Sequence, residues 1–357
     1  MNNTLRTLTL TSLLMTGSAL AAPLTVTVYN PGEKAIFPVS SSLVTGDKEA
    51  ILIDAQFDVQ HGQALVDMIK KSGKKLTTVY ISAGDPDFYF GLEPVMAAFP
   101  DVKVLADQHV VDHIKQTKDA KLSYWGPILG KDAPKSLTVP QVMTASHLTL
   151  DGEKIEIKEM NTPNAYLWAP SIKTAFGGVP VYSGVHVWMA DSQSKAARTE
   201  WVNALDRMLA LKPERVIPGH FLGEAPKGTQ AVTFTRDYVL RFEQALASTK
   251  GSGPLIDALI ERTGQRLAVY RFDGLHAPAL LTGRVGAHAR ALGGAALDVY
   301  HREPLWRDHP FVTEFDNVII TPHIAGATRE SIAKHTAMIA ADLQRYVAGE
   351  PLLYQWR

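Results

Sequence analysis

The chain has 357 residues, 46% hydrophobic and 20% charged, with 36 basic and 36 acidic side chains and no cysteine. Its length corresponds to about two domains of ~150 residues, and its balanced charge lacks the basic stripe that a nucleic-acid partner requires. The absence of cysteine excludes disulfides, thiolate zinc sites, iron–sulfur clusters and a cysteine nucleophile.

Residues 1–21 read as a signal peptide: Arg6, an apolar stretch from Leu8 to Leu20, and small residues at Ala19 and Ala21. The stretch is too short and too rich in threonine to span a ~30 Å hydrocarbon core comfortably. Cleavage would leave Ala22 first, in a periplasmic protein with no membrane attachment. Without Arg6 the mature chain would carry one more acidic than basic residue.

Residues 22–264 alternate short β-rich runs with amphipathic helices. Strands are expected over 24–29, 50–53, 76–82, 102–105, 154–159, 166–169, 179–182 and 215–217. Helices are expected over 60–70, near 195–211 and near 236–248. In the second of these, Trp201, Ala204, Leu205, Met208 and Leu209 recur at helical spacing. Residues 265–292 carry no clear period and read as a linker or a disordered junction, or as a segment translated out of frame between two joined coding sequences. From Gly293 the order returns, with an apolar strand over 295–299, another over 317–321 and a final helix after Thr328. That helix stops near Gly349, a residue suited to the left-handed position that ends helices.

The run Ile51-Leu52-Ile53-Asp54, the strand Thr77–Ser82 and the loop Ala83-Gly84-Asp85-Pro86-Asp87-Phe88 follow the order seen in the metallo-β-lactamase superfamily, which residues 24–264 resemble. There the loop reads His-x-His-x-Asp-His. Alternate histidines on an extended backbone point the same way and share a cation, and metal-held water becomes a nucleophile near neutral pH. In this chain Ala83, Asp85 and Phe88 stand at the three histidine positions, and Asp87 matches. Asn161–Asn164 offers no histidine, and Val179 takes the place of the bridging aspartate. The strand ending Val216-Ile217-Pro218-Gly219-His220 is a good copy of the last histidine segment. The resemblance implies an α/β fold, a four-layer αββα sandwich. Asp85, Asp87, His186 and His220 are its remaining candidates for a divalent metal, a thin set better suited to Mg or Mn than to Zn. His186 reads first as a hydrogen-bonded histidine beside a buried Trp188, and His220 as a hydrogen-bonded loop residue. A metal-free module for a small-molecule ligand is the expected state of this half.

The segments Gly293-Gly294-Ala295-Ala296-Leu297-Asp298-Val299-Tyr300-His301-Arg302-Glu303-Pro304-Leu305 and Asn317–Thr328 resemble the D-isomer-specific 2-hydroxyacid dehydrogenases. The resemblance implies a partial Rossmann-like segment over 293–357, NAD as cofactor, Asp298 against the nicotinamide, and Glu303 with His323 as the catalytic pair. A carboxylate beside an imidazole raises its pKa and orients it to protonate a ketone. The Gly-x-Gly-x-x-Gly turn that holds a pyrophosphate is missing; Gly283-Arg284-Val285-Gly286 has another spacing. The family's catalytic arginine has no counterpart upstream, so the pair is expected to be inactive. Such a fragment exposes an apolar side where further strands belong, which would favour a homo-oligomer.

Three functions remain open at this level. They are a non-catalytic exported module with hydrolase ancestry, a metal-dependent hydrolase of esters, lactones or amides, and an NAD-dependent D-2-hydroxyacid oxidoreductase acting through the C-terminal segment.

Overall fold

The computed structural model describes residues 23–189, 191–249, 255, 258–259, 295–297, 318–320 and 345. The expected leader over 1–21, the expected junction 265–292, Asp298, Glu303, His323 and the helix expected after Thr328 fall outside the described residues, apart from position 345.

One sheet contains β1 (Thr25–Tyr29), β2 (Ser41–Thr45), β3 (Glu49–Ile53), β4 (Lys75–Tyr80), β5 (Lys103–Ala106) and β6 (Gln141–Val142), in that spatial order. Its first three strands are antiparallel, and β3 to β6 run parallel. The parallel crossovers carry α1 (Val59–Ser72), α2 (Pro86–Tyr89), α3 (Leu92–Ala98) and α4 (Gln108–Leu129). A second sheet holds β7 (His147–Leu150), β8 (Glu153–Lys158), β9 (Tyr166–Ala169), β10 (Thr174–Phe176) and β12 (Arg215–Val216). Between the last two lie β11 (Tyr182–Ser183), which pairs with β13 (His220–Phe221), and α5 (Lys195–Ala210). The helix α6 (Gln230–Ser248) follows.

The side-chain alternation of the strands builds the layers. Ile51, Ile53, Val44 and Tyr80 of the first sheet meet Leu148, Ile155, Leu167 and Phe176 of the second in one core. The opposite residues, Leu43, Ala50, Leu52 and Val79, pack on Leu65, Val66, Ile69, Val95 and Val110 of the first helices. Tyr166, Trp168, Ala175 and Val216 turn the other way, onto Trp201, Leu205, Met208, Val232 and Val239 of α5 and α6. Successive residues of a strand face opposite sides, so a strand buried on both faces reads as a continuous apolar run, as Ala50–Ile53 does. The result is the expected helix–sheet–sheet–helix sandwich.

Several boundaries differ from the sequence expectation. In place of a strand over 179–182 there is only the two-residue β11, because Gly177 and Gly178 (φ 74° and 76°) and Pro180 turn the chain there. The helix expected near 236–248 begins earlier, at Gln230, with Ala231, Val232 and Thr235 continuing its buried face. The strands β2 and β7 and the long helix α4 were not anticipated; α4 buries only Val110, Val111 and Ile114 in its first turns. Near the C-terminus, β14 (Ala295–Leu297) and β15 (Val318–Ile320) pair in parallel, Ala295 opposite Val318 and Leu297 opposite Ile320.

Candidate functional site

The carboxyl ends of β3 and β4 meet the loops before β11 and β13, and three buried polar contacts gather there. Asp54 follows β3 with φ 63°, and its N–H donates to Tyr80 O at 2.9 Å. Its carboxylate accepts from the Ser82 N–H at 2.8 Å and the Ser82 hydroxyl at 2.6 Å. Ser82 Oγ in turn accepts from the Gly178 N–H at 2.7 Å. A Cβ on Gly178 would stand 2.0 Å from Ala165 O, so this close approach requires glycine. Burial pushes the Asp54 carboxyl up to about 7; the Ser82 hydrogen bonds pull it down, and neighbouring Asp87 adds to the rise.

Asp87 sits in α2, the single turn that Pro86 opens. His220 begins β13, paired with Tyr182 on one side and bridged to Val39 on the other. Their side chains, 7% and 6% exposed, meet with Nε2 and Oδ2 2.6 Å apart. A carboxylate only accepts, so Nε2 carries the proton. Tyr182 stacks on the imidazole at 5.3 Å and 12°, and the fully buried Phe88 meets it edge-on at 5.4 Å.

Of the four candidate metal ligands, the structure joins Asp87 with His220 and engages the others elsewhere. Asp85 pairs with Lys121 Nζ at 3.0 Å, which also lies 2.8 Å from His113 Nε2. Burial first, and then the Lys121 charge, hold His113 below the ordinary histidine range. His186 Nδ1 lies 3.0 Å from the Tyr238 hydroxyl, and burial holds its pKa low. Trp188 beside it is 45% exposed, correcting the expectation of a buried indole; its N–H reaches Asp191. Asn161 serves the start of α4: its N–H donates to Asp107 Oδ2, and its Oδ1 accepts from Gln108 N. Among the described residues no three His, Asp or Glu side chains gather around one ion position. A cation needs about three protein ligands here, so the residues present do not fit one.

Sequence reasoning missed Asp54 and Ser82 as site residues. The available signal was an acidic residue closing an apolar strand, where it cannot stay buried without donors.

The sequence description of the D-isomer specific 2-hydroxyacid dehydrogenase NAD binding domain matches residues 286–325. A glyoxylate reductase of Thermofilum pendens is 46% identical over 59 residues, 16% of this chain and 17% of that protein. A D-3-phosphoglycerate dehydrogenase of Escherichia coli is 40% identical over 72 residues, 19% of this chain and again 17% of the relative. The chain thus spans under a fifth of the length of these curated relatives. Asp298, Glu303 and His323 lie in the matched stretch. Similar solved structures include a metallo-β-lactamase family protein of Thermus thermophilus, with 16% identity, TM-score 0.47, and coverage of 66% of this chain and 87% of that one. A metallo-β-lactamase of Pontibacter korlensis shows 15% identity, TM-score 0.44, and coverage of 62% and 97%. Residues 286–325 are thus similar to part of a dehydrogenase NAD-binding domain, while the layering of the preceding residues rests on their own strand pairing and packing.

Proposed function

We propose that residues 22–264 form an exported, periplasmic module with a degraded metal site, which binds a small molecule without hydrolysing it. In this reading residues 1–21 are its leader, 265–292 a junction, and 293–357 a dehydrogenase fragment that joins copies through its unpaired apolar side. The direct Asp87–His220 contact, closed by Phe88 and Tyr182, carries the reading. These two side chains pair directly through Nε2 and Oδ2, and an apolar ring stands where the superfamily places a ligand. After dialysis against buffered zinc and manganese the chain is expected to retain under about 0.1 ion, since two ligands do not make a tight site. Retention of about one or two ions per chain, with turnover of an ester, lactone or amide, would restore the hydrolase reading.

The family match at 286–325 favours a second activity, NAD-dependent oxidation of a D-2-hydroxy acid. The parallel β14–β15 pair agrees with a piece of a nucleotide domain. The sequence nevertheless lacks the glycine turn for the pyrophosphate, so the residues present do not fit the dinucleotide and no step is assigned to it. Tryptophan fluorescence is expected to be unchanged by NADH up to about 1 mM, roughly a −4 kcal/mol threshold. Saturable quenching below that concentration would establish the cofactor site.

A further inference from the structure

A cleft of about 570 Å³ opens between the segment after β1, the start of α1 and the end of α4. None of Asp54, Ser82, Asp87 and His220 lines it. The volume lies within the ~300–1,000 Å³ of small-molecule sites. Asp58 forms its polar floor: one carboxylate oxygen accepts from the His61 N–H at 2.8 Å, the other meets His61 Nδ1 at 2.7 Å. The first bond caps α1. The second does not serve the cap, and it sets the ring. Because a carboxylate only accepts, Nδ1 carries the proton, and in the neutral ring Nε2 is an acceptor. The other charged side chains described in the wall are Asp67 and Asp132. Ile36, Ile128 and Leu129 also line it, with Ile128 37% exposed, apolar surface of a kind that a bound molecule covers.

We propose that this cleft binds a small primary amine with an apolar body. Its ammonium would donate to His61 Nε2 and lie in the field of Asp58, Asp67 and Asp132, while the body covers Ile36, Ile128 and Leu129. An ammonium has three donors and no acceptor, and the three carboxylates of this wall only accept. The site is independent of the Asp87–His220 centre, so loss or recovery of metal there leaves it unaffected.

Calorimetric titration of the full chain with hexylamine and with 1-hexanol, a neutral probe of equal length, tests the charge requirement. Hexylamine is expected to bind at least about tenfold more tightly, a difference of ~1.4 kcal/mol. The paired variant Asp67→Asn/Asp132→Asn is expected to weaken the amine several-fold and to leave hexanol unchanged. Asp58→Asn keeps a capping oxygen, yet it presents an amide donor to Nδ1 and so turns Nε2 into a donor. It is expected to cost the amine about tenfold, with the helical circular dichroism unchanged. Equal affinity for the two probes, amine binding indifferent to these variants, or no amine binding up to about 20 mM overturns the proposal.

Discussion

Asp87→Ala is expected to destabilise the folded chain by about 3 kcal/mol in urea denaturation, and by the same amount with or without chelator. The variant deletes the acceptor 2.6 Å from His220 Nε2 and leaves a buried imidazole N–H facing Phe88 and Tyr182. An unsatisfied buried donor costs ~1–3 kcal/mol, and breaking a buried ionic pair ~3–5. Asp87→Asn retains an oxygen for the same N–H and is expected to stay within about 1 kcal/mol of the parent. The double variant Asp87→Leu/His220→Phe removes both partners and is expected to recover most of the loss, because two apolar groups leave nothing unpaired. A double variant as unstable as Asp87→Ala alone would show that the contact is not the latch. A loss appearing only when chelator is absent would show instead that the two side chains act through an ion.

The layers were legible because inner strands of both sheets are buried on two faces. Apolar runs such as Ala50–Ile53 and Tyr166–Ala169 stand out in one dimension. The strands that were missed mix small or polar residues into the pattern. Ser41 and Ser42 of β2 are buried, and Ser41 meets Gln56 Nε2 at 2.7 Å. Such positions read as loop until their partner, 15 residues away, is in place. For α4 the reason is different: after Ile114 its residues are mostly half-buried or exposed, so no continuous stripe marks its length. At the site, Asp87 and His220 were singled out in the sequence only by resemblance to a known pattern. Their mutual contact spans 133 residues and was not readable. Asp85 shows the same limit, since its engagement with Lys121 depends on α4 passing over the Gly84 turn. A Cβ on Gly84 would stand 2.7 Å from the His113 ring, which shows how close that passage is.

The other large effect concerns pH. Stability is expected to fall by about 4 kcal/mol as pH rises from about 4 to about 7, beyond the contribution of other groups, and Asp54→Asn is expected to remove that fall. Asp54 ionises at about 7 in the folded chain against an ordinary 3.8. Between those values the folded state holds a proton that the unfolded state has released. Stability then changes with pH as the difference in bound protons, about −1.4 kcal/mol per pH unit for one extra proton in the folded state. The contribution is complete below about 3.8 and is lost as pH passes about 7, opposite in sign to an aspartate stabilised as its anion. Burial is the main cause, so the fall should persist at high salt, which screens surface charges but hardly reaches a fully buried group. Asp87 is a secondary cause. Asp87→Asn should therefore move the transition to lower pH without abolishing it, linking the two halves of the site through a single measurement. Denaturation midpoints across pH 4–8 for the parent, Asp54→Asn and Asp87→Asn decide the matter. A parent curve flat between about pH 4 and 7, or a fall that survives in Asp54→Asn, would assign the proton to another group. The expected pattern would instead leave Asp54 half-protonated near neutral pH, held by Ser82 at the point where the two sheets and the His220 loop converge.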